Sequence, residues 1–203
     1  QGYRAIKMQV AHIGDLRTDV ENVRRMRDAV GPDVEIMIDV NMGWSADVAI
    51  STGRKFERYD VYWLEEPVLA DDHAGYLRCA EALDMRVVGG ETHFGRADLK
   101  PFFENPRLPI LQPDPMRGGL TELRKIATVA DTWGMTLAPH LFPELNVHLL
   151  ASIPNGIWAE QMGLLDDLWV DPPEIADGHI TAPERPGHGL AFREEALKAG
   201  TLR

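Results

Sequence analysis

Apolar residues in this chain gather in short runs, and each run closes on a polar residue. The runs are Val34-Glu35-Ile36-Met37-Ile38-Asp39, Val61-Tyr62-Trp63-Leu64-Glu65, Arg86-Val87-Val88-Gly89-Gly90-Glu91, Leu108-Pro109-Ile110-Leu111-Gln112-Pro113-Asp114, Thr136-Leu137-Ala138-Pro139-His140 and Gly156-Ile157-Trp158-Ala159-Glu160. Segments this short and this apolar read as parallel strands covered on both faces. Tyr3 to Val10 makes a seventh. Between the runs the apolar positions change to helical spacing. Val20, Val23, Met26 and Val30 form one stripe, Thr18 followed by Glu21 predicts a capping box at its start, and Gly31 stands where a helix C-cap belongs. Ser45 is predicted to cap the next helix, Tyr76 to Leu83 is a further helical run, and Gly134 is predicted to end a helix from about Leu120 to Trp133. The stretch Asp171 to Gly189, rich in Pro and Gly, predicts an irregular loop before a short terminal helix, Arg193 to Lys198.

The closing residues Asp39, Glu65, Glu91, Asp114, His140 and Glu160 are separated by 26, 26, 23, 26 and 20 residues. One strand, one loop and one helix fill about that length, so a repeated βα unit brings all six to one rim. Strand–helix alternation argues for a parallel α/β sheet, closed or open, and polar ends converging on a mouth point to a TIM-type barrel. A complete eightfold barrel takes about 250 residues, whereas the 203 here hold seven strands. The chain opens on Gln1-Gly2-Tyr3-Arg4, which resembles the end of a helix running into a strand. Residues 1–203 therefore read as the C-terminal barrel domain of a longer protein, without the barrel's first strand.

Composition narrows the partners. With 44% hydrophobic residues the chain can bury one substantial core, and no run approaches the roughly 20 apolar residues of a membrane span. A net charge of −11 disfavours nucleic acid and anionic membrane surfaces. The single cysteine, Cys79, excludes an internal disulfide and fits a reducing, cytoplasmic setting. Nothing around Cys79 suggests a nucleophile, so it is read as packing.

Placing the closing residues on one rim creates the chemistry. Asp39, Glu65 and Glu91 on successive strands would repel one another in water-poor space unless a cation sat between them. Oxygen ligands suit a hard divalent ion; Mg²⁺ is the first choice, with manganese and calcium as the other candidates. Asp114 and His140 form a second pair, in which a carboxylate fixes the imidazole tautomer and raises the basicity of the other nitrogen. That makes a general base. His93, close behind Glu91, is a candidate to line the mouth; His148 falls in a helical pattern and is expected to pack; His12, His73, His179 and His188 are expected on loops or the surface.

Leu64-Glu65-Glu66-Pro67, Asp39-Val40-Asn41, Gly90-Glu91, Gln112-Pro113-Asp114 with Gly118-Gly119 behind it, and His140-Leu141-Phe142 together resemble the enolase superfamily, within it the mandelate racemase and muconate lactonizing enzyme group. The resemblance runs from Gly2 to about Ala191. It implies a modified (β/α)7β barrel, Mg²⁺ held by Asp39, Glu65 and Glu91, a dyad of Asp114 and His140, and Glu160 hydrogen-bonded to a substrate carboxylate or enolate. Enolase-superfamily sites are themselves the standing example of a Lys or His base working with Mg²⁺. The resemblance also implies a capping domain of the protein's own, absent from this chain, and abstraction of a proton alpha to a carboxylate. A homo-oligomer is expected.

One departure bears on the type of reaction. Strand alternation puts Lys7 and residue 9 on one face, where the family commonly carries Lys-X-Lys; here the text is Lys7-Met8-Gln9. Glutamine cannot exchange a proton near neutral pH, so two-sided racemisation is disfavoured. Dehydration of an acid sugar through one histidine is the first expectation. Lys7 would offset the carboxylate charge, and Gln9, Asn41 and Arg117 are candidates for the sugar hydroxyls. A cycloisomerase shares the first step, a racemase or epimerase survives if Lys7 serves the second face, and a non-catalytic binding or scaffold protein is the alternative of another class.

Overall fold

The computed structural model describes residues 2–12, 15–105 and 107–200. Strands and helices alternate: β1 Ala5–Gln9, α1 Leu16–Val30, β2 Glu35–Asp39, α2 Ala46–Phe56, β3 Val61–Glu65, α3 His73–Ala82, β4 Arg86–Val88, α4 Lys100–Phe103, β5 Ile110–Leu111, α5 Pro115–Thr132, β6 Thr136–Leu137 and α6 Pro143–Ser152. Strands β1 to β4 form one parallel sheet in chain order, with Gln9 beside Asp39 and Asp39 beside Glu65. A parallel bridge from Gly89 to Leu111 joins it to the β5–β6 pair, and a bridge from Leu137 to Gly156 carries the order one position further. This is the α/β barrel arrangement the spacing predicts. A cleft of about 1100 Å³ lies between the outer edge of β1 and the segment after Gly156.

Alternation along the strands divides the core. Met37, Trp63, Val88 and Ile110, from β2 to β5, and Ala138, just past β6, meet as a buried inner layer. Ile36, Ile38, Leu64, Val87, Leu111 and Leu137 point the other way, into the larger core shared with the helices. Two residues beyond Met37, Trp63 and Ala138 on the same face stand Asp39, Glu65 and His140, so the apolar layer forms the floor beneath the polar rim. Cys79 packs as predicted: its Sγ lies buried 3.9 Å from the Ala46 carbonyl oxygen, and burial pushes its thiol pKa up to about 11.

Several local expectations are corrected. Helix α1 begins at Leu16, and its N-cap is Asp15, whose carboxylate accepts from the N–H groups of Arg17 and Thr18; Thr18 lies inside the helix, and Glu21 pairs with Arg24 and Arg25. The charged cap outcompetes the hydroxyl three residues on. Gly31 does end α1, at φ 77°, and Arg27 reaches past it to the carbonyl oxygens of Gly31, Val34 and Tyr59. Ser45 occupies the N-cap position of α2 without a side-chain cap bond. Helix α5 starts at Pro115, and Gly119, at φ 72°, breaks its first turn from the run that continues at Leu120. The loop predicted between Asp171 and Gly189 contains a hairpin, β7 Ile175–Ala176 and β8 His179–Ile180, turning on Asp177 and Gly178, both at positive φ. The terminal helix, α7, spans Glu194–Gly200. Among the described residues no helix is long and apolar enough to cross a membrane.

Candidate active site

Lys7, Asp39 and Glu65 lie within β1, β2 and β3, whereas Glu91, Asp114 and His140 each lie three residues beyond the end of β4, β5 and β6. The predicted strands are thus longer than those formed, yet all these residues reach the same rim. Lys7 extends across the barrel: its Nζ is 2.7 Å from Glu65 Oε1 and 2.5 Å from Glu160 Oε1. The Trp63 indole N–H, from the floor, donates to Glu65 Oε2 at 3.0 Å. Both oxygens of a fully buried carboxylate are therefore held. Burial disfavours the charged form of Lys7, but the charges and hydrogen bonds of Glu65 and Glu160 outweigh it and raise the ammonium pKa.

Asp114 is the N-cap of α5. Its Oδ1 accepts the Met116 N–H at 2.6 Å, and its Oδ2 lies 2.7 Å from His140 Nδ1. An ionised carboxylate only accepts, so the proton of this bond sits on Nδ1 and the neutral ring presents a lone pair at Nε2. Nε2 faces Glu91 Oε2 at 3.5 Å and Glu160 Oε2 at 4.0 Å. Burial opposes the imidazolium, but the bond to Asp114 and the charges of Glu91 and Glu160 prevail, so the His140 pKa lies above the ordinary histidine value. Glu160 in turn accepts the Leu141 N–H at 2.8 Å.

Asp39, Glu66 and Glu91 resist ionisation. Burial, reinforced by the charge of Glu65, pushes Asp39 up to about 6. Glu91 is pushed to about 8, chiefly by burial, with His140 opposing and the charges of Glu66 and Glu65 adding to the rise. Burial lifts Glu66 to about 7 even though Thr92 Oγ1 donates to its Oε1 at 3.0 Å; Oε2 is buried without a partner. Among the described residues no three such side chains stand close enough to hold a metal ion as they are. The donor set nonetheless suits a hard cation. Each carboxylate oxygen has two lone pairs, so the bonds from Lys7 and Trp63 leave Glu65 able to accept one, and a divalent charge would offset the burial and the neighbouring negative charge that raise Asp39 and Glu91.

The three residues assigned to sugar hydroxyls are placed unequally. Gln9 is exposed beside Asp39. Asn41, at φ 46°, donates its backbone N–H to Asp39 Oδ1 at 2.7 Å. The Arg117 Nε–H reaches the Glu91 carbonyl oxygen at 3.4 Å, with the guanidinium 5.2 Å over the Phe94 ring. The half-buried ring of His93 packs on Phe102 and beside His73, which itself packs on Phe102. His148, half-buried, lies 3.1 Å from the His188 carbonyl oxygen through its Nε2. Sequence reasoning missed Trp63, Glu66 and Asn146. Trp63 was findable, two residues before Glu65 on the same strand face.

The chain is similar to known proteins along nearly its whole length. The family described as "Enolase C-terminal domain-like" matches residues 1–196. The chain is 36% identical over 198 residues to a 3,6-anhydro-alpha-L-galactonate cycloisomerase of Streptomyces coelicolor, covering 97% of this chain and 55% of that protein. It is 32% identical over 198 residues to an L-talarate/galactarate dehydratase of Salmonella typhimurium, covering 97% and 50%. Among solved structures, a racemase from Streptomyces coelicolor A3(2) with bound magnesium superimposes with a TM-score of 0.92 at 35% identity, covering 98% of this chain and 55% of that one. An L-talarate dehydratase from Polaromonas sp. JS666 complexed with Mg and L-glucarate gives 0.90 at 34%, covering 97% and 55%. The chain spans about half the length of these relatives.

Proposed function

The chain belongs to the enolase C-terminal domain-like family, and from that premise we propose that it carries the metal and base groups of a Mg²⁺-dependent lyase that dehydrates an acid sugar. Asp39, Glu65 and Glu91 would hold the ion. When bound, Mg²⁺ stabilises the negative charge that develops on the substrate carboxylate as the alpha proton leaves. His140 takes that proton on Nε2, and Asp114 keeps the proton on Nδ1 and steadies the imidazolium that forms. The same imidazolium then protonates the departing beta hydroxyl: the C–H and C–O bonds break, a carbon–carbon double bond forms, and water leaves. Lys7 and Glu160, already paired, orient the substrate carboxylate and balance its charge. A capping domain of the protein's own would supply the contacts that select the sugar.

The observation that carries this reading is the 2.7 Å contact between Asp114 Oδ2 and His140 Nδ1, with Nε2 turned toward Glu91 and Glu160. A cycloisomerase is the second reading, favoured by the Streptomyces coelicolor relative of that activity; it shares the proton abstraction and differs in the leaving group. Incubation with Mg²⁺ and a panel of acid sugars in D₂O decides between them by mass spectrometry. The expected product is a 2-keto-3-deoxy acid, which has lost the elements of water and carries one solvent deuterium at carbon 3, taken up as the enol becomes the ketone. An isomer of unchanged composition transfers the assignment to cycloisomerisation, and deuterium entering recovered substrate from both faces transfers it to epimerisation.

A further inference from the structure

The chain around His140 adopts a conformation that it would not hold unaided. Leu141 and Phe142 are both left-handed, at φ 47° and 43°, in residue types that rarely adopt it. Asn146, in the first turn of α6 and fully buried, lies opposite them. Its Nδ2 donates to the carbonyl oxygen of His140 at 3.2 Å and to that of Leu141 at 2.7 Å. Both partners are acceptors, so the amide orientation is fixed: a flipped Asn146 would set its oxygen against two carbonyl oxygens. Its own backbone N–H bonds the Phe142 carbonyl oxygen at 2.9 Å, closing the turn from the other side. The peptide between His140 and Leu141 is thereby held at both ends, its oxygen by Asn146 and its N–H by Glu160.

We propose that Asn146 is a positioning residue for His140: it holds the left-handed turn that aims Nε2 into the rim and presents the Leu141 N–H to Glu160. The role rests on the reading of His140 as the base. Orientation matters here because β6 ends at Leu137, three residues before His140, so that beyond Asn146 the His140 backbone is held by its N–H to the Pro113 carbonyl oxygen at 3.3 Å. Without Asn146 two part-buried carbonyl groups lose their donor, and the turn relaxes toward ordinary φ values, carrying the imidazole away from Asp114.

The test uses the whole chain, needs no substrate and compares wild type, Asn146→Ser and Asn146→Leu. Serine can donate one of the two bonds and leucine neither. In ¹⁵N-histidine spectra wild-type His140 is expected as a single Nδ1–H tautomer, with Asn146→Ser partly and Asn146→Leu largely shifted to tautomer-averaged values. Exchange of the Leu141 amide with D₂O should accelerate in the same order, at least about tenfold in the leucine variant. Where Asn146→Leu does not fold, Asn146→Ser gives the answer by the same two signals. Variants that melt earlier but keep the His140 spectrum and the Leu141 exchange rate overturn the proposal, because Asn146 would then serve packing alone. An assay of His140→Asn separates the premise: if that variant keeps its activity, the reading of His140 as base fails, whatever the spectra show of Asn146.

Discussion

Asp39 and Glu65 reach the rim as the last residues of five-residue strands, whereas Asp114, His140 and Glu160 reach it on chain that has already left its strand. On the first side, a continuous ladder from β1 to β4 sets the register, and Gln9, Asp39 and Glu65 stand side by side because their strands pair there. On the second, strands shrink to two residues or a single bridge, and each group is placed by a bond of its own: Asp114 by capping α5, Glu160 by the Leu141 N–H. The difference follows the chemistry. Asp39 and Glu65 must bring charge to a place, and strand register suffices for that; Glu91, three residues past β4, is the one proposed ligand carried by loop. A base must also bring one tautomer and one direction, which requires directional hydrogen bonds.

If the two sides are separable, their variants should fail in different ways. The largest effect is expected on the second side. His140→Asn should lose at least about 10²–10⁴-fold in kcat with Mg²⁺ affinity unchanged, read by single-turnover kinetics and calorimetric titration. Asp114→Asn should also lose activity, through the wrong tautomer, yet melt close to wild type because asparagine caps a helix as well as aspartate does. A drop in metal affinity in either variant would break the comparison.

On the first side, Glu65→Gln removes one anionic donor and should weaken Mg²⁺ by more than the roughly 10–100-fold typical for a residue that only supports a ligand. The fold should persist. Calorimetry on the variant that shows wild-type affinity would reject Glu65 as a ligand.

Next in size comes pH. Asp39 and Glu91, lifted to about 6 and about 8, hold more protons folded than unfolded between the ordinary carboxylate range and those values, so in EDTA stability should fall as pH rises from about 5 to about 8. His140, also raised, adds with the same sign, since its contribution is present at low pH and is lost as pH rises through its folded value. Saturating Mg²⁺ should flatten the slope by neutralising the ionised carboxylates. Melting curves at several pH values, with and without Mg²⁺, measure both. The smallest effect belongs to Trp63→Phe, which keeps most of the floor but strips the donor from Glu65 Oε2; about 1.5–3 kcal/mol of stability should go with it, measurable by urea unfolding.

The same division explains what could be read from the chain. Asp39 and Glu65 were legible because a strand end is written in the text as an apolar run with a polar stop. Glu91, Asp114 and His140 were located by their spacing even though the strands expected to carry them end three residues early; a repeated unit preserves the interval while a loop takes over part of the strand. Asn146 left no such mark, since its role depends on a turn at Leu141 and Phe142 that neither residue type favours. The β7–β8 hairpin was legible and was passed over: Asp177-Gly178 between Ile175-Ala176 and His179-Ile180 is a two-residue hairpin signal, masked by the surrounding prolines and glycines. Asp15 was hidden by a competing cap, Thr18, with a glutamate at the right distance.

The thiol of Cys79 gives the helical shell a clock of its own. It is the protein's single sulfhydryl, sealed between α2 and α3 with its pKa near 11, so an alkylating reagent meets a reactive thiolate only when that seam parts. Under conditions where the seam recloses faster than the reagent reacts, the labelling rate is the intrinsic rate multiplied by the fraction of time spent open. One mass measurement per time point then reports how often the outer layer breathes, independently of anything bound at the rim. Repeated with and without Mg²⁺, it reveals whether filling the mouth of the barrel quiets a helix pair of its outer layer.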